Sequence, residues 1–215
     1  MPLDLHQLMK DLSARRSVFH SEADFQHALA WQIQMQHQDR KIRLEYPAFG
    51  IGRQNDALDI WVEDTAGCVS AIEVKYITHD LNALINGESF ALVNQGATSQ
   101  KRFDYLEDIR RLESLLTGPA RLVGYALFLT NNNVYWNSAA RSAKTDAFPH
   151  TFREGETVSG QLAWKPGIPN GTRGPRAESL TLTGRYTMNW RQYATVQGTG
   201  YGEFRYVLVT LQGSI

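Results

Sequence analysis

The chain of 215 residues has a single cysteine, Cys68, which excludes an intrachain disulfide and a Cys-based zinc site and fits a reducing compartment. It has no long apolar run. The longest clean stretch, Tyr125-Ala126-Leu127-Phe128-Leu129, is far short of the roughly 20 residues that a membrane span requires. The start, Met1-Pro2-Leu3-Asp4-Leu5, has no basic segment leading into an apolar one, so no signal peptide is expected and a cytoplasmic location is. The six histidines form no HxxxH or HExxH pair, and GxGxxG, GxxxxGK[ST] and GxSxG are all missing. These absences argue against a zinc hydrolase, a bound nucleotide cofactor and a serine hydrolase. Net charge is also missing, with 22 basic against 22 acidic side chains. That balance hides an asymmetry: 12 Lys/Arg stand against 17 Asp/Glu in residues 1–116, and 10 against 5 in residues 117–215.

What is present is a globular composition without repeats or low-complexity tracts, 42% hydrophobic and 20% charged, long enough for a sizeable core in one domain spanning 1–215. Residues 3–16 read as an amphipathic helix. Ser21-Glu22-Ala23-Asp24 opens a second helix to about Gln38, with Phe25, Leu29 and Ile33 on one stripe. Glu22 precedes Phe25 by three residues and so lies on that inward stripe. Three strand-like runs follow, Lys41–Tyr46, Ala57–Glu63 and Val69–Tyr76. Asn86-Gly87 predicts a hairpin turn. A helix from about Ser99 to Leu116 carries Tyr105, Ile109, Leu112 and Leu116, its other charges reading as a solvated face, and Gly118-Pro119 ends it. Arg121–Thr130 reads as a buried strand. Beyond it, 137–159 is turn-rich, Lys165–Arg176 is a loop with three Pro, three Gly and three basic residues, and strands are expected at Ser179–Asn189 and Glu203–Leu211. The order predicts a mixed α/β fold with a core at 21–130 and a β-rich C-terminal extension at 131–215.

The chemistry-bearing segment is Leu58-Asp59-Ile60 followed by Ile72-Glu73-Val74-Lys75. On a strand, Glu73 and Lys75 share one face while Ile72, Val74 and Tyr76 take the other. If the strands pair, Asp59 comes beside Glu73. Two carboxylates supply hard oxygen ligands for Mg²⁺, with Mn²⁺ as substitute, and the Val74 carbonyl is a further candidate ligand. A lysine beside them can orient a water or offset charge at a phosphoryl centre. The bland reading is an ion-paired sheet surface of little energetic value.

This arrangement resembles the PD-(D/E)XK nuclease superfamily, the restriction-endonuclease-like fold. Asp59 falls on the family's metal-binding Asp, Glu73-Val74-Lys75 on its E-x-K element, Glu22 on a helix-borne acid and Gln100 on a polar residue of the following helix. Leu58 stands where the family's proline would be. The resemblance covers about half the chain and implies a Mg²⁺-dependent endonuclease acting on DNA, alone, as a homodimer or in a larger complex, with Asp59, Glu73, Lys75, Glu22 and Gln100 as catalytic candidates. The alternative is a noncatalytic nucleic-acid- or protein-binding module of the same fold. Arg102, Arg173, Arg176 and Arg185 are candidate nucleic-acid contacts. Trp190, Tyr193, Tyr201, Phe204 and Tyr206 read, for the most part, better as sheet-packing residues than as base-stacking ones.

Overall fold

The computed structural model describes residues 2–47, 57–117, 121–137 and 146–212. Its centre is a six-stranded mixed sheet of order β1-β2-β3-β6-β10-β9. The strands are β1 (Lys41–Pro47), β2 (Ala57–Glu63), β3 (Val69–Ile77), β6 (Leu122–Thr130), β9 (Trp190–Thr195) and β10 (Glu203–Gln212). β3 and β6 run parallel, joined by the crossover helix α3 (Thr98–Leu115); the other neighbours are antiparallel. Helices α1 (Leu5–Arg15) and α2 (Glu22–Gln36) cover one face and α3 the other.

Local chemistry explains these elements. Asp4 caps α1 by accepting from Gln7 N, and Ser21 caps α2 by accepting from Asp24 N, each satisfying a helix-end donor that has no intrahelical partner. Asn86 (φ 52°) and Gly87 (φ 83°) form the turn between β4 (Leu81–Ile85) and β5 (Glu88–Leu92), as an Asn-Gly pair with two left-handed residues should. β3 is buried on both faces because it is central: Ile72, Val74 and Tyr76 pack under α1 and α2, while Ala71 and Ile77 pack under α3 with Ala126 and Phe128 of β6.

The C-terminal region is not a separate appendage. β10 and β9 extend the central sheet, burying Trp190, Tyr193, Phe204 and Tyr206, whereas Tyr201 is exposed. The expected strand Ser179–Asn189 is β8 (Ser179–Thr187), which pairs with β7 (Thr157–Ala163) in a ribbon over α3; past Met188-Asn189 the chain enters β9, a strand the sequence reading did not place. β7 begins within the stretch 137–159 that the sequence reads as turn-rich and runs on to Ala163, where the sequence reading placed no element. The register of the ladder shifts at Ser159/Gly160, where Ser159 faces Arg185 and Gly160 faces Leu182, so the extra residues, Thr183 and Gly184, lie on β8; Gly160 (φ 70°) leaves the position between the buried Val158 and Leu162 without an apolar side chain to mark the strand. Asn170–Arg173 is a short helical turn, α4, within the Pro/Gly-rich loop. Gly118-Pro119 lies outside the described residues. No helix among the described residues is long and apolar enough to cross a membrane.

Candidate functional site

Both ladders flanking β2 lapse at Asp59. On the β3 side, pairing runs from Glu63↔Val69 to Ile60↔Ile72 and stops. On the β1 side, Leu44↔Ile60 and Tyr46↔Leu58 pair, and the intervening Glu45 is left out, its φ at 49°, a conformation uncommon for a residue with a Cβ. β2 thus parts from β3 opposite Glu73, leaving buried backbone groups that need partners. Side chains provide them. Asp59 Oδ2 accepts from Val74 N at 2.7 Å, and Glu22 Oε2, reaching down from the first turn of α2, accepts from Tyr76 N at 2.9 Å. Arg111 Nη2 donates to Ala57 O at 2.8 Å. Gln26 bridges the remaining gap, donating to Asp59 O at 2.8 Å and to Glu45 Oε1 at 2.7 Å. Glu45 thereby supports the Asp59 backbone, and Arg43 Nη1 donates to Ile42 O at 2.8 Å.

Glu73 and Lys75 point together toward α3, as strand alternation requires. Glu73 is 2% exposed, with Arg111 Nη1 3.2 Å from its Oε1. Lys75 Nζ lies 2.9 Å from Asp108 Oδ2. The Lys75 ammonium lies within hydrogen-bond distance of Asp108, whereas Glu73 Oε1 and Arg111 Nε are buried polar atoms without a hydrogen bond. Small residues on the sheet let α3 come this near. Ala126 is the β6 neighbour of Glu73, and at Gly124 an added Cβ would sit 3.2 Å from Leu112 Cβ of α3.

Glu22, Asp59, Glu73 and Asp108 against Lys75 and Arg111 give a formal charge of −2 when all are ionised, and each of these groups bears electrostatically on Glu73, Lys75 or Asp108. Burial, then the Asp108 and Asp59 carboxylates, pushes the Glu73 carboxyl well above its ordinary range. Burial raises Asp108 to about 6 against the pull of Lys75. Burial works to lower Lys75, but Asp108, followed by Glu22, Asp59 and Glu73, outweighs it and holds the ammonium above its usual value. The lysine therefore stays protonated.

The structure thus brings Asp59, Glu73, Lys75 and Glu22 together, and adds Asp108 and Arg111, which the sequence reading assigned to the solvated face of α3. A signal was there. Tyr105, Asp108, Ile109 and Leu112 follow the i, i+3, i+4, i+7 spacing of a buried stripe, the same logic that turned Glu22 inward. Gln100 points elsewhere: its amide donates to Thr172 O, because it lies two turns before Asp108, about 12 Å back along the helix. The Val74 carbonyl accepts from Lys75 Nζ at 3.3 Å. Arg102 drops out of the nucleic-acid set. It is 3% exposed, donating to Phe148 O and to Asp146 Oδ2 at 3.0 Å. Arg173 meets Asn170 and Glu178, Arg176 makes a two-pronged pair with Asp104, and Arg185 is exposed on the ribbon.

A cavity of about 680 Å³ opens over this cluster, with Glu22, Lys75, Asp108 and Arg111 on its lining. Among the described residues no three His, Cys, Asp or Glu side chains form a ready metal-ligand group. The carboxylates are the type of donor a hard cation takes, one or two at a time, while keeping most of its waters: Asp59 and Glu22 each commit one oxygen to a backbone N–H, Glu73 Oε1 makes no hydrogen bond but faces Arg111 Nη1 at 3.2 Å, and of the three Glu22 is on the cavity lining. No protein family, curated protein or solved structure matches the chain.

Proposed function

We propose that the chain is a divalent-metal-dependent nuclease with a restriction-endonuclease-like core at residues 21–130, hydrolysing DNA phosphodiesters. The observation that carries this reading is the cluster where β2 parts from β3 at Asp59: four carboxylates, one lysine and one arginine, with formal charge −2 when all are ionised, of which Glu22, Asp108, Lys75 and Arg111 line an open cavity. Buried charge at this density is costly unless something compensates it, and a divalent cation would neutralise it.

Asp59 and Glu73 would hold Mg²⁺, with Glu22 beside them. When bound, the ion acidifies a water and polarises a phosphoryl oxygen. Lys75, kept protonated by its acidic neighbours, is a proton donor and charge clamp rather than a base. It orients the nucleophile and offsets charge that builds on the phosphoryl oxygens. Asp108 fixes the direction of the Lys75 ammonium, and Arg111 fixes Glu73. A second reading, the noncatalytic module, draws on the Arg111–Glu73 pair, which gives Glu73 an internal counter-ion at 3.2 Å. The two differ in their response to metal, since a working site gains thermal stability with Mn²⁺ or Mg²⁺.

The test is cleavage of plasmid and oligonucleotide DNA with Mg²⁺ or Mn²⁺ by the wild type and by Asp59→Asn, Glu73→Gln and Lys75→Met, with folding checked by circular dichroism. Each substitution is expected to lower the rate by at least a hundredfold. Wild-type cleavage by Glu73→Gln would overturn the assignment.

A further inference from the structure

The Pro/Gly-rich loop forms the rim of the same cavity. Residues 164–178 close on themselves, Trp164 N donating to Glu178 O at 3.2 Å, and Trp164 stacks on Phe103 of α3 with ring centroids 5.4 Å apart, so the base of the loop is anchored. Two further ties pin its far side to the same helix: the Gln100 amide on Thr172 O, and Arg176 on both oxygens of Asp104 at 2.6 Å. Pro175, Arg176 and Ala177 thereby stand over the cavity that has Lys75 on its lining.

The charged groups lie below this rim. Side-chain exposure is 2% for Glu73, 7% for Asp108, 13% for Arg111 and 20% for Lys75. A phosphodiester must descend past the loop to reach them. The space, about 680 Å³, is within the range that holds a single small-molecule-sized group. A single strand is flexible enough to bring one phosphate in. A double helix is a stiff rod whose phosphates are fixed on its outside. At the rim Lys101, one residue beyond Gln100, lines the cavity and has no ion-pair partner among the described residues, whereas Arg176 is occupied by Asp104.

We propose that the cleft between α3 and loop 164–178 admits a single nucleic-acid strand and excludes the intact double helix, with Lys101 gripping a phosphate at its rim. The proposal rests on the nuclease reading for the identity of the ligand, and adds the strandedness of the substrate and the residue that selects it.

The test measures fluorescence anisotropy of a 5′-labelled single-stranded DNA oligonucleotide and of a blunt hairpin duplex of equal length, at fixed salt with Ca²⁺ in place of Mg²⁺, followed by cleavage of both with Mn²⁺. The single strand is expected to bind at least tenfold more tightly, and Lys101→Ala to lose about fivefold of that affinity while leaving the weak duplex binding unchanged. Equal or tighter binding of the duplex, binding of neither, or a Lys101→Ala protein with wild-type affinity overturns the proposal. Single-strand preference without cleavage under any divalent ion supports the cleft and defeats the nuclease reading. Equal cleavage of the duplex supports the nuclease reading and defeats the cleft.

Discussion

Val74 and Lys75 are adjacent on β3 and enclosed on opposite faces, yet the two faces solve burial by different physics. Under α1 and α2, Ile72, Val74 and Tyr76 are packed among Phe19, Phe25 and Leu127; the polar atom there, the Tyr76 hydroxyl, donates to Phe19 O at 3.0 Å. Under α3, Glu73 and Lys75 are held by Arg111 and Asp108 at 3.2 and 2.9 Å. The apolar face gains from area removed from water. The charged face recovers desolvation through pairing and retains surplus negative charge. One face serves stability, and the other carries the cost of burying charge.

The sharpest way to break the contrast is Arg111→Ala. It leaves Glu73 without its counter-ion and Ala57 O without its donor, and is expected to cost about 4 kcal/mol in urea unfolding at pH 7. Ile72→Ala, its counterpart on the apolar face, should cost about 3 kcal/mol, and that loss should be the same with and without divalent cations, whereas the Arg111→Ala loss should shrink when Mg²⁺ is added. Acidity separates the faces further. Glu73 and Asp108 have folded-state pKa values raised above their ordinary ones, Asp108 from 3.8 to about 6. The folded state therefore holds protons that the unfolded chain releases. The Asp108 contribution is fully present below about pH 4 and is lost as pH rises through about 6, and the Glu73 contribution is lost in the same direction as pH rises through its own raised value. Between pH 4 and 7 the metal-free chain should lose on the order of 2 kcal/mol from this source, and the Glu73→Gln, Asp108→Asn double variant should flatten that slope. The smallest effect is at Gly124, where a methyl group would press α3 away from the sheet; Gly124→Ala should cost about 1 kcal/mol and lower the cleavage rate by more than that loss of stability explains.

Much of the first face was legible in the sequence. The Ser21 cap, the Phe25-Leu29-Ile33 stripe and the alternation in β2 and β3 are local signals, and α2, β1, β2, β3 and the Asn86-Gly87 hairpin lie where they place them. The facing of Glu73 and Lys75 was legible for the same reason, since alternation is a property of the strand alone. Asp108 and Arg111 were harder because they sit among Asp104, Glu107 and Arg110, and a helix rich in charge looks solvated until one asks which charges share the apolar stripe. The lapse of both ladders at Asp59 could not be read, because it depends on where two neighbouring strands stop pairing. Nor could the switch from β8 to β9 at Met188-Asn189, where the β-forming pattern continues while the partner strand changes.

The most direct measurement is an anomalous difference map from crystals soaked in Mn²⁺. A peak between the carboxylates of Asp59 and Glu73, absent from crystals of Glu73→Gln, is the result expected. A map with no peak there at millimolar Mn²⁺, and Arg111 still seated on Glu73, would contradict the claim that this cluster exists to hold a cation.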